Sequence, residues 1–138
     1  MAVRDYVLDA NALVRYFLNQ KGADRIRELL IEADKKQASL SISVVNLAEA
    51  LYVTARYSPL EDAERKIRSL ASLVEFVSSD ADGALAAAML RSRHRLGLAD
   101  CFAAELAMRM GATLVTADPE FARLGKQLKV LALPRHSS

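Results

Sequence analysis

The feature that most restricts this chain is an alternation. Five short apolar runs recur along it: Tyr6–Leu8, Leu40–Ser43, Leu73–Val77, Thr113–Thr116 and Lys129–Leu133. Most are rich in Val, Ile or Leu and too short for buried helices, so each reads as a strand. Between them lie longer segments with apolar residues at helical spacing: Ala12–Leu18, Ala23–Lys36, Val44–Tyr57, Leu60–Leu70, Ala81–Leu96, Leu98–Met110 and Glu120–Leu124. Pro59 stops the third of these, and Gly97, Gly111 and Gly125 end the last three, as residues able to close a helix. Strands separated by helices join through crossovers, not hairpins. The expected fold is α/β: a central, mostly parallel sheet of about five strands, flanked on both faces by helices, with right-handed crossovers.

A chain of 138 residues, 52% of them hydrophobic, suits one domain with one core across residues 1–138. Only Arg135–Ser138 reads as a frayed end. No apolar run reaches the length of a bilayer span, so no membrane partner is expected. The opening MAVRDYVLDA lacks a long apolar stretch after a basic start, which argues against a secretory signal. The single Cys101 cannot form an internal disulfide and fits a reducing cytoplasm. A formal charge of +2 is compatible with nucleic acid and too mild to argue for it.

Four acids stand out by position. Asp9 ends the first strand in "YVLDANALV", where a buried run stops abruptly on a carboxylate. Glu49 sits in "SVVNLAEALYV", Asp100 in "LGLADCFAAELA" and Asp118 in "TLVTADPEF". Each has a structural reading. Asp is a preferred helix N-cap, and acids in a first turn are favoured by the helix dipole. Asp118 is the strongest such case, because Pro119 follows it. Glu49 is harder to dismiss, since Val45, Leu47, Ala48, Ala50, Leu51 and Val53 nearly surround it. A carboxylate there needs a cation, a donor or a proton, and Arg15 or Arg56 could supply the cation.

Taken together, the four suggest chemistry. In an open parallel sheet, ligands bind beyond the carboxyl ends of the strands, where Asp9 and Asp118 lie. Glu49 and Asp100 lie near the starts of helices that can reach the same edge. Four acids meeting there repel one another unless cations intervene. Oxygen-only ligands suit Mg²⁺ or Mn²⁺ rather than zinc. The two histidines, His94 and His136, form no ligand pair. The matching chemistry is metal-assisted hydrolysis of a phosphodiester.

The ordered set "VLDANAL", "SVVNLAEAL", "LADCFAAELA" and "LVTADPEF" resembles the PIN-domain ribonucleases, and more narrowly the VapC-type toxins of toxin–antitoxin pairs. The resemblance runs from about Tyr6 to Leu133. It implies a Mg²⁺- or Mn²⁺-dependent endoribonuclease with Asp9, Glu49, Asp100 and Asp118 as catalytic and metal-binding acids. Thr116 matches the hydroxyl residue before the last acid, and Asn11 a polar position after the first. The first motif reads Asp-Ala-Asn, without the hydroxyl the family commonly carries beside the aspartate. The resemblance further implies a homodimer, an RNA substrate and a small VapB-like antitoxin that blocks the site.

Arg91, Arg93, His94 and Arg95 form a basic run, and Lys126, Lys129 and Arg135 cluster near the end. Such runs usually form solvated faces. If they flank the acids, Arg91, Arg93 and Arg95 would hold RNA phosphates, and Arg15, one turn past Asn11, is a further candidate. Few aromatics are present, and none suggests a stacking platform for bases. Two other functions fit parts of the pattern. One is phosphoryl transfer through an aspartyl phosphate on Asp9, although such sites want an acid at position 11, where this chain has Asn. The other is a PIN-like module that binds RNA or protein without cutting, against which the retention of all four acids argues.

Overall fold

The computed structural model describes residues 3–134. The expected frayed end, Arg135–Ser138, lies outside the described residues, as do Arg135 and His136 individually. The strands are β1 (Arg4–Leu8), β2 (Ala38–Ser43), β3 (Val74–Val77), β4 (Thr113–Thr116) and β5 (Lys129–Ala132). The helices are α1 (Ala10–Phe17), α2 (Ala23–Asp34), α3 (Val44–Thr54), α4 (Leu60–Ser69), α5 (Ala81–Arg93) and α6 (Leu98–Met110). Two 3-10 segments, Leu70–Ser72 and Pro119–Gln127, complete the described chain.

The five strands form one sheet in the order β3-β2-β1-β4-β5, and every adjacent pair is parallel. The chain lays down β1, β2 and β3 in one direction, then returns to place β4 and β5 on the other side of β1. The order therefore reverses between β1 and β4, and the crevice beyond their carboxyl ends is where a doubly wound sheet binds its ligand.

Register decides which residues face which layer. Val7 pairs with Ser41 and Leu114, and Leu8 pairs with Val115. Because side chains alternate along a strand, the two pairs point to opposite faces. Tyr6, Leu8, Leu40, Ile42 and Val115 pack with Leu13, Ile26, Leu29, Ala50 and Ile67 beneath α1 to α4. Val7 and Leu114 pack with Leu90, Leu96, Leu106, Phe121 and Leu124 on the other face, beneath α5 and α6. The sheet thus divides the expected single core into two clusters. Helix α6 buries Ala103, Ala104 and Ala107 completely, and these small side chains let it lie close against the sheet.

Strand β1 begins two residues earlier than its apolar run, because Arg4 and Asp5 pair with Ala38 and Ser39 while their side chains stay exposed. Helix α5 stops at Arg93, and His94 is extended at φ −132°, ψ 155°. Gly97 is therefore not the closing residue of that helix. It occupies the N-cap of α6, at φ −62°, ψ 154°. Leaving the helix at His94 lets Leu96 enter the core, where it is 1% exposed. Gly111 does close α6, at φ 63°, in the left-handed region that glycine adopts without steric penalty. Helix α3 ends at Thr54, well before Pro59, which instead takes the N-cap position of α4.

Candidate active site

Asp9 sits where β1 gives way to α1 and is 2% exposed. It is both a cap and something more. Its Oδ1 accepts the Ala10 N–H at 2.8 Å, the helix-capping bond. Its Oδ2 accepts the Thr116 hydroxyl at 2.7 Å and an Asn11 side-chain N–H at 3.0 Å. The hydroxyl absent from the first motif is thus supplied by the end of β4, the neighbouring strand. Asn11 locks the arrangement, since its amide also donates to Thr116 Oγ1 at 3.2 Å and its Oδ1 accepts the Ala117 N–H at 3.0 Å. Thr116 Oγ1 in turn accepts the Asp118 N–H at 3.0 Å. Asn11, Thr116 and two strand ends hold one carboxylate in place.

Asp118 N-caps the segment that follows β4, with Oδ1 accepting the Glu120 N–H at 2.8 Å and Pro119 next in the chain. The capping role read from the sequence is real, and it does not exclude the other. Carboxylate oxygens of Asp100, Asp118 and Glu120 all lie within 4.8 Å of one another. Glu120 is the acid that sequence reasoning missed. Its only local signal is a place in the first turn after Asp118 and Pro119, where acids are favoured for the helix dipole alone. Asp9 and Glu49 stand outside this closest trio, yet their charges act on each other, and both Asp100 and Glu49 act on Asp9.

Glu49 is half-buried on α3. Among the described residues no ion pair reaches it. The two cations offered as partners are engaged elsewhere: Arg15 donates to the Lys21 and Pro134 carbonyls at 2.8 and 2.5 Å, and the Arg56 guanidinium lies 5.4 Å from the Tyr52 ring centre. Asn46, one turn before Glu49 on the same helix, is wholly buried and was also missed. Its Nδ2 donates to the Ala99 carbonyl at 2.9 Å, which fixes the start of α6, and so Asp100, against α3.

Electrostatics follow from this crowding. Burial pushes the Asp9 carboxyl up to about 7, with Asp100 and Glu49 adding to the rise and the Thr116 and Ala10 hydrogen bonds opposing it. Burial likewise raises Asp100 to about 6, helped by Asp118, Glu49 and Glu120 and opposed by the Gly97 backbone. Asp9 and Asp100 thus resist ionising, and a cation held beside them would offset the repulsion. All the donors are oxygens, which fits a hard divalent ion such as Mg²⁺ or Mn²⁺.

The basic residues divide. Arg91 and Arg95 line an open cleft of about 410 Å³ with Leu96 and Gly97, beside the start of α6. Arg93 lines a different cleft with Met89, Glu105 and Arg109. Lys129 opens β5 opposite Thr113, at the amino edge of the sheet and away from the acids. Arg15 braces the turn between α1 and α2 against the end of the described chain.

A parallel sheet with reversed order between β1 and β4, and acids at that reversal, defines a class, and sequence comparison agrees. The family model for the PIN domain matches residues 6–127, and the chain belongs to that family. None of the curated proteins matches it. Solved structures share the fold. The VapBC2 complex of Rickettsia felis, bound to a DNA fragment from its promoter, is similar at 24% identity and a TM-score of 0.74, over 94% of this chain and 98% of that one. DNA-bound VapBC from Salmonella typhimurium is similar at 17% identity and a TM-score of 0.72, over 95% and 98%. PAE2754 from Pyrobaculum aerophilum is similar at 25% identity and a TM-score of 0.62, over 94% and 92%. Among the described residues no helix is long and apolar enough to cross a membrane.

Proposed function

We propose that this protein is a Mg²⁺- or Mn²⁺-dependent endoribonuclease and the toxin of a toxin–antitoxin pair. The observation that carries the reading is the acidic edge at the sheet's reversal point, with Asp100, Asp118 and Glu120 oxygens within 4.8 Å of one another beside the buried Asp9. Membership of the PIN family supports it, and so does the likeness in fold to VapBC complexes, a family of toxin–antitoxin systems. A VapB-like antitoxin is the partner this reading expects, in the cytoplasm.

Asp100, Asp118 and Glu120 would hold the ion, with Asp9 at the end of β1 and Glu49 on α3 near enough for their charges and that of Asp100 to act on one another. When bound, such an ion lowers the pKa of water and neutralises charge on the phosphate. The protein's own contribution is placement. Thr116 and Asn11 keep Asp9 Oδ2 from rotating, and Asn46 keeps α6 in register with α3. Burial holds the Asp9 carboxyl up at about 7, and a cation bound beside it would favour the ionised form. Asp9 is a poor covalent nucleophile in this setting. Both its oxygens are occupied by donors, it is almost wholly buried, and Asn11 offers it an amide in place of a second acid.

A homodimer is part of the reading. Helices α2 and α4 bury Ile26, Leu29, Leu30, Ala63 and Ile67 within their own subunit. Apolar side chains left exposed include Tyr52 on α3, Leu85 and Met89 on α5 and Leu98 on α6. Light scattering that finds a monomer at tens of micromolar, without antitoxin, would remove the dimer. The function itself is tested by incubating the purified protein with RNA. Cleavage with Mg²⁺ or Mn²⁺, abolished by EDTA, is expected; intact RNA at millimolar metal overturns the reading.

A further inference from the structure

The acids that serve a cation also repel a polyanion, so an RNA-cutting edge needs a cationic wall beside it. The arginines of this chain are mostly spent. Arg25, Arg27, Arg65, Arg68, Arg109 and Arg123 pair with acids, and Arg15 and Arg56 are engaged as described. Arg91 and Arg95 are exposed, and among the described residues their guanidinium groups have no ion pair or hydrogen bond.

Their placement is specific. Both line the same open cleft, whose remaining wall is Leu96 and Gly97. Gly97 also abuts the acidic trio, since a Cβ built on it would stand 3.3 Å from Asp100 Oδ2. The cleft and the carboxylates thus share one residue as a boundary. Arg91 and Asp100 both reach the Cys101 thiol electrostatically, with opposite effects on it. The chain's exit from α5 at His94 brings Arg95 round to the cleft of Arg91. Arg93, two residues past Arg91 and so about 200° around the helix, falls on the other side. Arg123 steadies the cleft by donating to the Arg95 carbonyl while its other nitrogen lies 3.6 Å from Glu120.

We propose that Arg91 and Arg95 together form a phosphate subsite that grips the RNA backbone next to the bond being cut, and that Arg93 takes no part. Guanidinium groups suit the role, since each can donate two parallel hydrogen bonds to phosphate oxygens. The inference rests on the ribonuclease reading and extends it by naming where the neighbouring phosphate sits and which arginines of the run hold it. Arg123 is a positioning residue in this scheme.

The test is the salt dependence of kcat/KM on a single-stranded oligoribonucleotide, for wild type, Arg91→Gln/Arg95→Gln, Arg91→Lys/Arg95→Lys and Arg93→Gln, with thermal melts to check folding. The double Gln variant is expected to lose at least about tenfold in kcat/KM at low salt, the scale of losing charge-assisted contacts. Its log–log salt slope should flatten by about 0.7, the value for one single-strand phosphate contact. The double Lys variant should recover the slope, and Arg93→Gln should match wild type. A double Gln variant with wild-type kcat/KM and slope overturns the subsite and leaves the ribonuclease reading standing. Equal damage from Arg93→Gln overturns it too, since the effect would then be general charge. If wild type cuts no RNA with any metal, the ribonuclease reading fails and the subsite falls with it.

Discussion

Replacing Asp9 with Asn tests whether the acidic edge is built to await a cation. An unfolded aspartate has a pKa of 3.8, and folded Asp9 is raised to about 7. Between those values the folded state holds a proton that the unfolded chain has released, so stability falls as pH rises through the window. The loss is absent below about pH 4 and complete above about pH 7. Three pH units at 1.36 kcal/mol each give an upper bound of about 4 kcal/mol. Asn removes the charge and keeps the cap, because Asn caps a helix as well as Asp does. It disturbs the bonds from Thr116 and Asn11, since an amide presents a donor where Oδ2 accepted two. That mismatch costs about 1–2 kcal/mol. In EDTA the variant should therefore match wild type at pH 5 and exceed it by about 2–3 kcal/mol at pH 8, close to 5–10 °C in Tm for a chain of this size. Thermal melts at the two pH values measure this. Millimolar Mg²⁺ should raise the wild-type Tm at pH 8 by mass action and the variant's by less. A gain of equal size at both pH values, or a loss at pH 8, would refute the reasoning.

Asp118→Asn keeps the cap on the Pro119–Gln127 segment, so metal-free stability should hold or rise while cleavage drops at least about tenfold, about 1.4 kcal/mol. Wild-type cleavage by that variant would take Asp118 out of the site. Glu120→Gln preserves shape and removes one charge of the closest trio, so the Tm shift produced by Mn²⁺ should shrink, and an unchanged shift would exclude Glu120 as a ligand. Asn46→Ala should lower stability by about 1–3 kcal/mol, read from urea unfolding, through loss of the bond to Ala99. A neutral result would mean that α6 is held by packing alone.

Much of this molecule is local and was therefore legible. The alternation of strands and helices, the arrest of β1 at Asp9, the cap at Asp118 and the closure of α6 by Gly111 each depend on a few consecutive residues. Propensity, periodicity and capping act over that range. The parallel sheet followed as well, because helices between strands leave no other pairing.

Tertiary structure decided the rest. Strand order placed β4 beside β1, so the hydroxyl that holds Asp9 comes from Thr116, more than a hundred residues away. No local pattern encodes a register between strands so far apart. Glu120 looked like an ordinary first-turn acid until folding brought it within 4.8 Å of Asp100 and Asp118. Gly97 looked like the end of one helix and proved to be the beginning of the next, because burial of Leu96 pulled the chain out of α5 three residues early. That same departure divided a basic run that reads as one unit, setting Arg91 and Arg95 on one cleft beside Gly97 and Arg93 on another. Local sequence sets which residues are available at the carboxyl edge; the packing of distant segments sets which of them meet.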